Sequence, residues 1–331
     1  MSAVAAGLER HQVPIYVAAI GVGVLLGLVA PATGSAVAPA VNPVLGALLY
    51  VTFLQVPARE LVGAVRSGRF VAAVLVVNFA VVPLVVAAMT PLLPADAAVR
   101  LGVLLVLLAP CVDYVVVFTG LAGGSAGRLL ALTPLLLLAQ MALLPVFLLV
   151  LGGASAGMDP GPFLQALGLL IVLPLAAAWL TQALVGERVR AAIGTAMVPL
   201  MVATLVVVVA SQVPALTTTV LGTVPFSVVF LLVMMPAGAL VARLFRLGTA
   251  DARAVAFTGA TRNSLVVLPI ALTLPEGAAA VVVAQTLVEV VGMVVAVRAV
   301  PRLVPEHGRV AASAARPRPS RSRRPRPGPG S

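Results

Sequence analysis

Polar and ionisable side chains interrupt three long apolar stretches of this sequence. They are Cys111 and Asp113 in the first stretch, Arg262, Asn263 and Ser264 in the second, and Gln285 and Glu289 in the third. A carboxylate can carry a proton or ligate a hard cation, a guanidinium can bind an anion, and a thiolate is a soft ligand. With one Cys and two His residues in the chain, we expect no His/Cys metal cluster, and no nucleophilic triad is visible. The sequence therefore predicts neither an enzyme nor a cofactor.

The composition places these interruptions in a membrane. The residues are 61% hydrophobic and 9% charged, and the mean hydropathy is +1.17. Soluble domains carry roughly a quarter charged residues and could not bury so much apolar surface, whereas a bilayer accepts it directly. The net charge of +11 does not indicate nucleic acid, because the arginines cluster between the apolar stretches and in the tail.

Hydrophobic runs of spanning length, roughly 17–25 residues, alternate with short polar or Gly/Pro-rich connections. They predict an all-α integral membrane protein with about ten transmembrane helices. The predicted spans lie near 13–30, 37–56, 70–93, 98–123, 128–152, 163–184, 191–212, 222–246, 250–274 and 278–300.

The arginines predict the orientation of these spans. Every second connection is rich in Arg, whereas the intervening ones hold Asp96, Asp159 and Glu276. Because positive loops stay inside, we expect a protein of the plasma (inner) membrane with both termini in the cytoplasm. The tail 302–331 is rich in Arg, Pro and Ser and is predicted to be disordered. It either contacts anionic headgroups or is solvated without a role.

Ten spans divide into two sets of five. An odd-numbered repeat places its second copy upside down, which is the inverted-repeat plan of many secondary transporters. We therefore predict a cytoplasmic N-terminus (1–12), a first repeat (13–152), an outer linker (153–162), a second repeat (163–301) and the tail. The fourth span of each set is broken by polar residues.

The interruptions lie at one depth. At 1.5 Å per residue, Cys111, Arg262 and Glu289 are each about 16–20 Å from either end of their spans. A charge there costs on the order of 2.5–3.5 kcal/mol, so Asp113, Arg262 and Glu289 must face the protein interior or water and be paired or neutralised. One interpretation is a structural ion pair between Asp113 and Arg262.

Glu289 then lacks an obvious basic partner, and desolvation favours its neutral, protonated form. We predict a proton carrier, with a sodium ligand or a structural hydrogen-bond donor as alternatives, and Gln285 shares its helix face. Cys111 alone would suggest a packing residue. At a helix break beside Asp113, however, it favours contact with a soft, thiol-seeking solute.

Three segments resemble the bile acid/sodium symporter superfamily, and within it the arsenite-efflux permeases. They are Ala109-Pro110-Cys111 with Val115–Phe118, Thr258–Ser264 leading into Leu268–Leu272, and Leu287–Val290. The likeness covers roughly residues 13–302. It implies a panel (first, second, sixth and seventh helices) and a core, with the site where the broken fourth and ninth helices cross. It also implies that Cys111 binds trivalent arsenic and that Glu289 carries the exchanged proton.

The sequence departs from the arsenite pattern, since Pro110 replaces a basic residue, Asp113 an apolar one and Arg262 an Asn. The leading hypothesis is proton-coupled efflux of arsenite or a related metalloid, driven by an ion gradient because no ATPase domain is visible. The alternative is a sodium- or proton-coupled carrier of an organic anion that pairs with Arg262. A third hypothesis, a sensor or scaffold, leaves the midplane charges unexplained. The expected partners are the solute, the coupling ion and the bilayer, and a homo-oligomer is left open.

Overall fold

The computed structural model describes residues 11–55, 68–111, 114–152, 161, 165, 167–274 and 277–305. The regular elements in these residues are helices, together with an isolated backbone bridge between Pro110 and Arg262. Asp113, most of the predicted outer linker and the tail beyond residue 305 lie outside the described residues.

The α-helices of the first half are α1 (Gln12–Val29), α2 (Pro31–Val37), α3 (Val41–Leu54), α4 (Gly68–Val76), α5 (Val82–Met89), α6 (Ala97–Leu107), α7 (Tyr114–Leu121) and α8 (Ala126–Gly152). Those of the second half are α9 (Leu173–Leu184), α10 (Glu187–Gly194), α11 (Met197–Gln212), α12 (Thr218–Leu221), α13 (Val224–Leu244), α14 (Thr249–Ala260), α15 (Ser264–Ala271) and α16 (Ala278–Leu303). Turns of π-helix occur at Val77–Val81 and Leu167–Val172, and turns of 3-10 helix at Ala38–Ala40, Thr90–Leu92 and Val213–Ala215.

Among the described residues, five helical stretches are long and apolar enough to cross a membrane. They are 25 to 27 residues long and cover Gly68–Leu92, Ala126–Gly152, Glu187–Gln212, Thr218–Leu244 and Ala278–Leu303. Shorter apolar helices include Pro14–Val29, Val41–Leu54, Ala97–Leu107 and Leu173–Leu184. The prediction of an all-α membrane protein is thereby confirmed, while the number of crossings stays a prediction.

The helices pack in two groups. In the first group α1 packs against α11, and α3 packs against α9 and α11. In the second, α13 packs against α14 and α16, and α6 packs against α8 and α16. These groups contain the helices that the family resemblance assigns to the panel and to the core.

Small residues allow the close approach within the first group. A Cβ atom on Gly23 would lie 2.8 Å from Cβ of Val209, and one on Gly27 would lie 2.8 Å from Cβ of Val213. The two glycines are four residues apart and share one face of α1. This G-x-x-x-G spacing brings helix backbones together in membranes, where apolar contact with lipid gives helices no hydrophobic reason to associate.

The two broken helices are interrupted for local reasons. Proline disfavours helical geometry in the residue before it and cannot donate a hydrogen bond, so α6 ends at Leu107, shortly before Pro110. In the second broken helix, between α14 and α15, the backbone of Thr261 is extended. The side chain of Asn263 caps α15 by accepting a hydrogen bond from the backbone N–H of Val266 at 3.2 Å. Both breaks fall where the sequence predicts them.

Some boundaries differ from the predicted spans. The helical path that contains the second span begins already at Pro31, next to the end of α1, and runs from α2 through the 3-10 turn Ala38–Ala40 into α3. The seventh span starts earlier than predicted, at Glu187, and a turn at residues 195–196 divides it into α10 and α11. The third span contains the π-helical turn Val77–Val81.

Candidate functional site

The two breaks cross and bind each other through their backbones. The N–H of Cys111 donates to the carbonyl of Thr261 at 3.3 Å, and the N–H of Asn263 donates to the carbonyl of Ala109 at 2.8 Å. Between these bonds, Pro110 and Arg262 face each other in an antiparallel bridge. Cys111 and residues 261–263, which the sequence places only at a common depth, are therefore direct neighbours.

Four helix ends meet at this crossing. The helices α6 and α14 end there, and α7 and α15 begin there. Helix C-termini carry partial negative charge and helix N-termini carry partial positive charge. The crossing thus presents both signs of charge inside an apolar bundle, an arrangement that discontinuous helices use to bind solutes and ions.

Arg262 occupies the negative side of the crossing. Its Nη2 donates to the carbonyls of Thr258 at 2.9 Å and Gly259 at 2.7 Å, and its Nη1 donates to the carbonyl of Leu107 at 3.3 Å. Nη2 also donates to Oδ1 of Asn78 at 3.1 Å. These carbonyls belong to the last turns of α6 and α14. The fully buried guanidinium therefore caps the C-termini of both half-helices.

Two further side chains complete the surroundings of this guanidinium. The ring of Phe230 lies 5.2 Å from the guanidinium carbon and offers a cation–π contact. The side chain of Asn78 is held in place by two further hydrogen bonds. Its Nδ2 donates to the carbonyl of Val74 at 2.9 Å and to Oγ1 of Thr258 at 3.2 Å. Sequence reasoning missed both residues. Asn78 could have been found, because it is the only polar side chain between Phe70 and Met89.

Glu289 ties α16 to the second break. Its Oε2 accepts hydrogen bonds from the backbone N–H of Arg262 at 2.9 Å and from Nε2 of Gln285. Both side chains are buried, with Glu289 fully inaccessible. The predicted pairing of Gln285 with Glu289 on one helix face is thus realised as a direct hydrogen bond. The carboxylate is in contact with the main chain of the break.

Buried polar atoms with unused hydrogen-bonding capacity surround the start of α15. Nδ2 of Asn263 lies 3.5 Å from Oε1 of Gln140, a residue of α8 that sequence reasoning also missed. Among the described residues, Nε2 of Gln140, Oγ of Ser264 and Oε1 of Gln285 have no hydrogen-bond partner. A buried polar atom left in this way costs about 1–3 kcal/mol. Such atoms are suited to bind a solute, an ion or water.

The described residues offer little for a bound metal cofactor. No three His, Cys, Asp or Glu side chains of this part of the chain come together. The thiol of Cys111 is buried beside the crossing. Asp113, the carboxylate that the sequence places beside this thiol, is outside the described residues, so its predicted ion pair with Arg262 stays a prediction.

A cavity of about 770 Å³ lies between the two groups of helices. Its walls include the N-cap residue Asp96, Gln212 at the end of α11, and Ala271 and Ala280 from α15 and α16. Ala271 is eight residues from Asn263, about 12 Å along the helix axis. The cavity therefore approaches the crossing from the end of the molecule that holds Asp96.

Broken helices that meet inside a bundle of apolar helices define a class of protein, the membrane transporters built on discontinuous helices. The sequence matches the SBF-like CPA transporter family over residues 15–296. Since this match covers most of the chain, the protein belongs to that family of transporters. The resemblance to the bile acid/sodium symporter superfamily is thereby confirmed at the level of the superfamily. A comparison with curated proteins found no match.

Proposed function

We propose that the protein is a secondary active transporter that exports arsenite, or a related thiol-reactive metalloid, in exchange for protons. One observation carries this proposal. The backbone N–H of Cys111 donates to the carbonyl of Thr261 at 3.3 Å, and the carboxylate of Glu289 accepts from the N–H of Arg262 at 2.9 Å. The residue that carries the soft ligand and the carboxylate proposed for the proton are thus both held at the peptide group between Thr261 and Arg262.

The chemistry of this pair suits an exchange. Arsenous acid and a thiol condense to a thioarsenite and one water, RSH + As(OH)₃ → RS–As(OH)₂ + H₂O, and the reverse reaction releases the solute. Protonation of Glu289 would neutralise the carboxylate that holds the N–H of Arg262 and the amide of Gln285. Each protonation state therefore favours a different hydrogen-bonding arrangement of the break. We infer that proton binding and solute binding are linked through this segment.

We assign Asn263, Ser264 and Asp113 to the solute. Asn263 and Ser264 lie at the positive end of α15, where a bound oxyanion or hydroxyl would find donors. Ser264 and Gln140 supply unused polar atoms there. Asp113 is proposed as a further contact because it lies two residues from Cys111 in the sequence.

We also propose ten spans in two inverted repeats, 13–152 and 163–301, with both termini in the cytoplasm. This topology is supported by the breaks, which fall in the fourth of five predicted spans in each half, and by the alternation of Arg-rich connections. In this orientation the cavity beside Asp96 opens to the outside and is the path of release.

The alternative, a carrier of an organic anion, rests on the charge of Arg262. We rank it second because Nη1 and Nη2 of Arg262 already donate to the carbonyls of Leu107, Thr258 and Gly259 and to Asn78. An anion would have to displace hydrogen bonds that cap two helices.

Transport of arsenite into the lumen of everted vesicles, energised by a proton gradient, tests the proposal. We expect Cys111→Ser to abolish flux and metalloid resistance in an arsenic-sensitive host, because a hydroxyl is a hard ligand. A matched control is Thr119→Ser, a conservative change of a buried residue of α7, which should leave flux unchanged at equal protein level. Unaltered resistance in Cys111→Ser would contradict the proposal. Gradient-dependent uptake of a carboxylate that survives Cys111→Ser but not Arg262→Ala would favour the organic-anion alternative.

A further inference from the structure

The oxygen atoms around the guanidinium of Arg262 form the kind of ligand set that an alkali cation takes. Three are main-chain carbonyl oxygens at the ends of two half-helices, and the fourth is the amide oxygen of Asn78, all within 2.7–3.3 Å of Nη1 or Nη2. Transporters with discontinuous helices coordinate sodium through unwound carbonyls and half-helix C-termini. Neutral oxygen donors of this type suit hard monovalent cations as well as a guanidinium.

The charges balance with a single cation. Each helix C-terminus carries about half of an elementary negative charge, so the ends of α6 and α14 together carry about minus one. One guanidinium neutralises both, and Phe230 adds the negative face of its ring. Without a cation the two ends would repel each other, and their carbonyls would stay buried without donors.

We propose that Arg262 is a tethered cation that occupies the place of a dissociable alkali ion, so that neither folding nor transport by this protein requires sodium. An ion gradient can drive transport only if the ion binds on one side of the membrane and is released on the other. A side chain that is part of the protein can do neither. The coupling role at the crossing is thus left to Glu289, which contacts the backbone of Arg262 itself. This inference rests on the proposed function only in naming the coupling ion of the same site.

Thermal unfolding of the purified full-length protein in detergent tests the proposal without any transported solute. The wild type is compared in sodium, potassium and choline chloride at equal ionic strength, and we expect the same melting temperature in all three. Arg262→Ala should melt lower in choline chloride. Sodium or low millimolar guanidinium should restore it, since an ion at 100 times its Kd shifts the folded-to-unfolded ratio by about 100-fold. Urea, a neutral molecule of the shape of guanidinium, should not restore it.

Arg253 supplies the matched control. It is also buried and donates to two helix-end carbonyls, from Nε to Val304 at 3.1 Å and from Nη1 to Ala122 at 3.0 Å. Two carbonyls make too small a set to hold a sodium ion, so Arg253→Ala should lose stability equally in sodium and in choline chloride. The proposal would be overturned if sodium, compared with choline, raised the melting temperature of Arg253→Ala as much as that of Arg262→Ala.

Two further outcomes decide the matter even if Arg262→Ala does not fold. A wild type that melts several degrees higher in sodium than in choline chloride would overturn the proposal directly. Arg262→Lys keeps a tethered cation and should fold without sodium, whereas a lysine variant that needs sodium would also contradict it. Because no outcome depends on arsenite, failure of the efflux hypothesis would leave this test intact.

Discussion

The interface between α1 and α11 and the crossing of the broken helices hold the molecule together in opposite ways. At the first, Gly23 and Gly27 let apolar backbones approach, and the contact is non-directional packing. At the second, directional hydrogen bonds join residues 109–111 to residues 261–263, and a buried charge caps two helix ends. The first interface fixes the distance between two helices, whereas the second fixes the positions of individual atoms.

This difference indicates where transport chemistry can take place. A group of helices held together by apolar packing, such as the one that contains α1 and α11, can move as a rigid unit at little electrostatic cost, as one bundle moves against the other in many transporters. The crossing cannot rearrange without breaking buried hydrogen bonds, so its rearrangement must be driven by protonation or by a ligand. Variants at the two places should therefore change different observables.

The largest effect is expected for Glu289→Gln at the crossing. The amide keeps an oxygen acceptor for the N–H of Arg262 but cannot exchange a proton, so proton-coupled flux should fall by at least about 100-fold, within the range for loss of a positioned acid–base group. The melting temperature should change little. Flux in vesicles at several pH values and thermal unfolding measure the two effects. The exposed Glu187→Gln is the control, and full pH-dependent flux in Glu289→Gln would refute the assignment.

An intermediate effect is expected for Gly27→Leu in the α1–α11 interface. The new side chain would collide with Val213 and force the helices apart, at a cost of about 1–3 kcal/mol for overpacking. The melting temperature in detergent should fall. Gly21→Leu lies on the same helix, where a Cβ atom meets nothing within 4 Å, and should be neutral. Equal destabilisation by the two substitutions would show that close approach is not what holds α1 to α11.

The smallest effect on stability is expected for Ser264→Ala. Its hydroxyl is buried without a hydrogen-bond partner in the described part of the chain, so its removal should leave the melting temperature unchanged or slightly raised. If the hydroxyl serves the solute, the apparent affinity should fall about tenfold, the equivalent of one hydrogen bond. Thr204→Ala is the control, since its hydroxyl donates to the carbonyl of Leu200 at 2.8 Å. A clear loss of stability in Ser264→Ala would indicate a structural hydroxyl.

Much of the site could be predicted because helical rise converts sequence position into depth. Cys111, Arg262 and Glu289 were expected at one level of the bundle, and the structure brings Cys111 and Glu289 to the same break. Asn78 and Gln140 were not expected to take part. Each is a single amide in an apolar span, and nothing in its local sequence indicates which neighbouring helix it faces.

The sequence by itself therefore determined the apolar spans, the two breaks and the depth of the polar residues. These follow from hydropathy, from proline and capping chemistry, and from the rise per residue, which are all local. Only the tertiary structure decided the partners of Arg262, which are the carbonyl of Leu107, 155 residues away, and the amide of Asn78, 184 residues away. Lateral contacts depend on which helix faces meet, and that depends on the packing of the whole bundle rather than on any one segment.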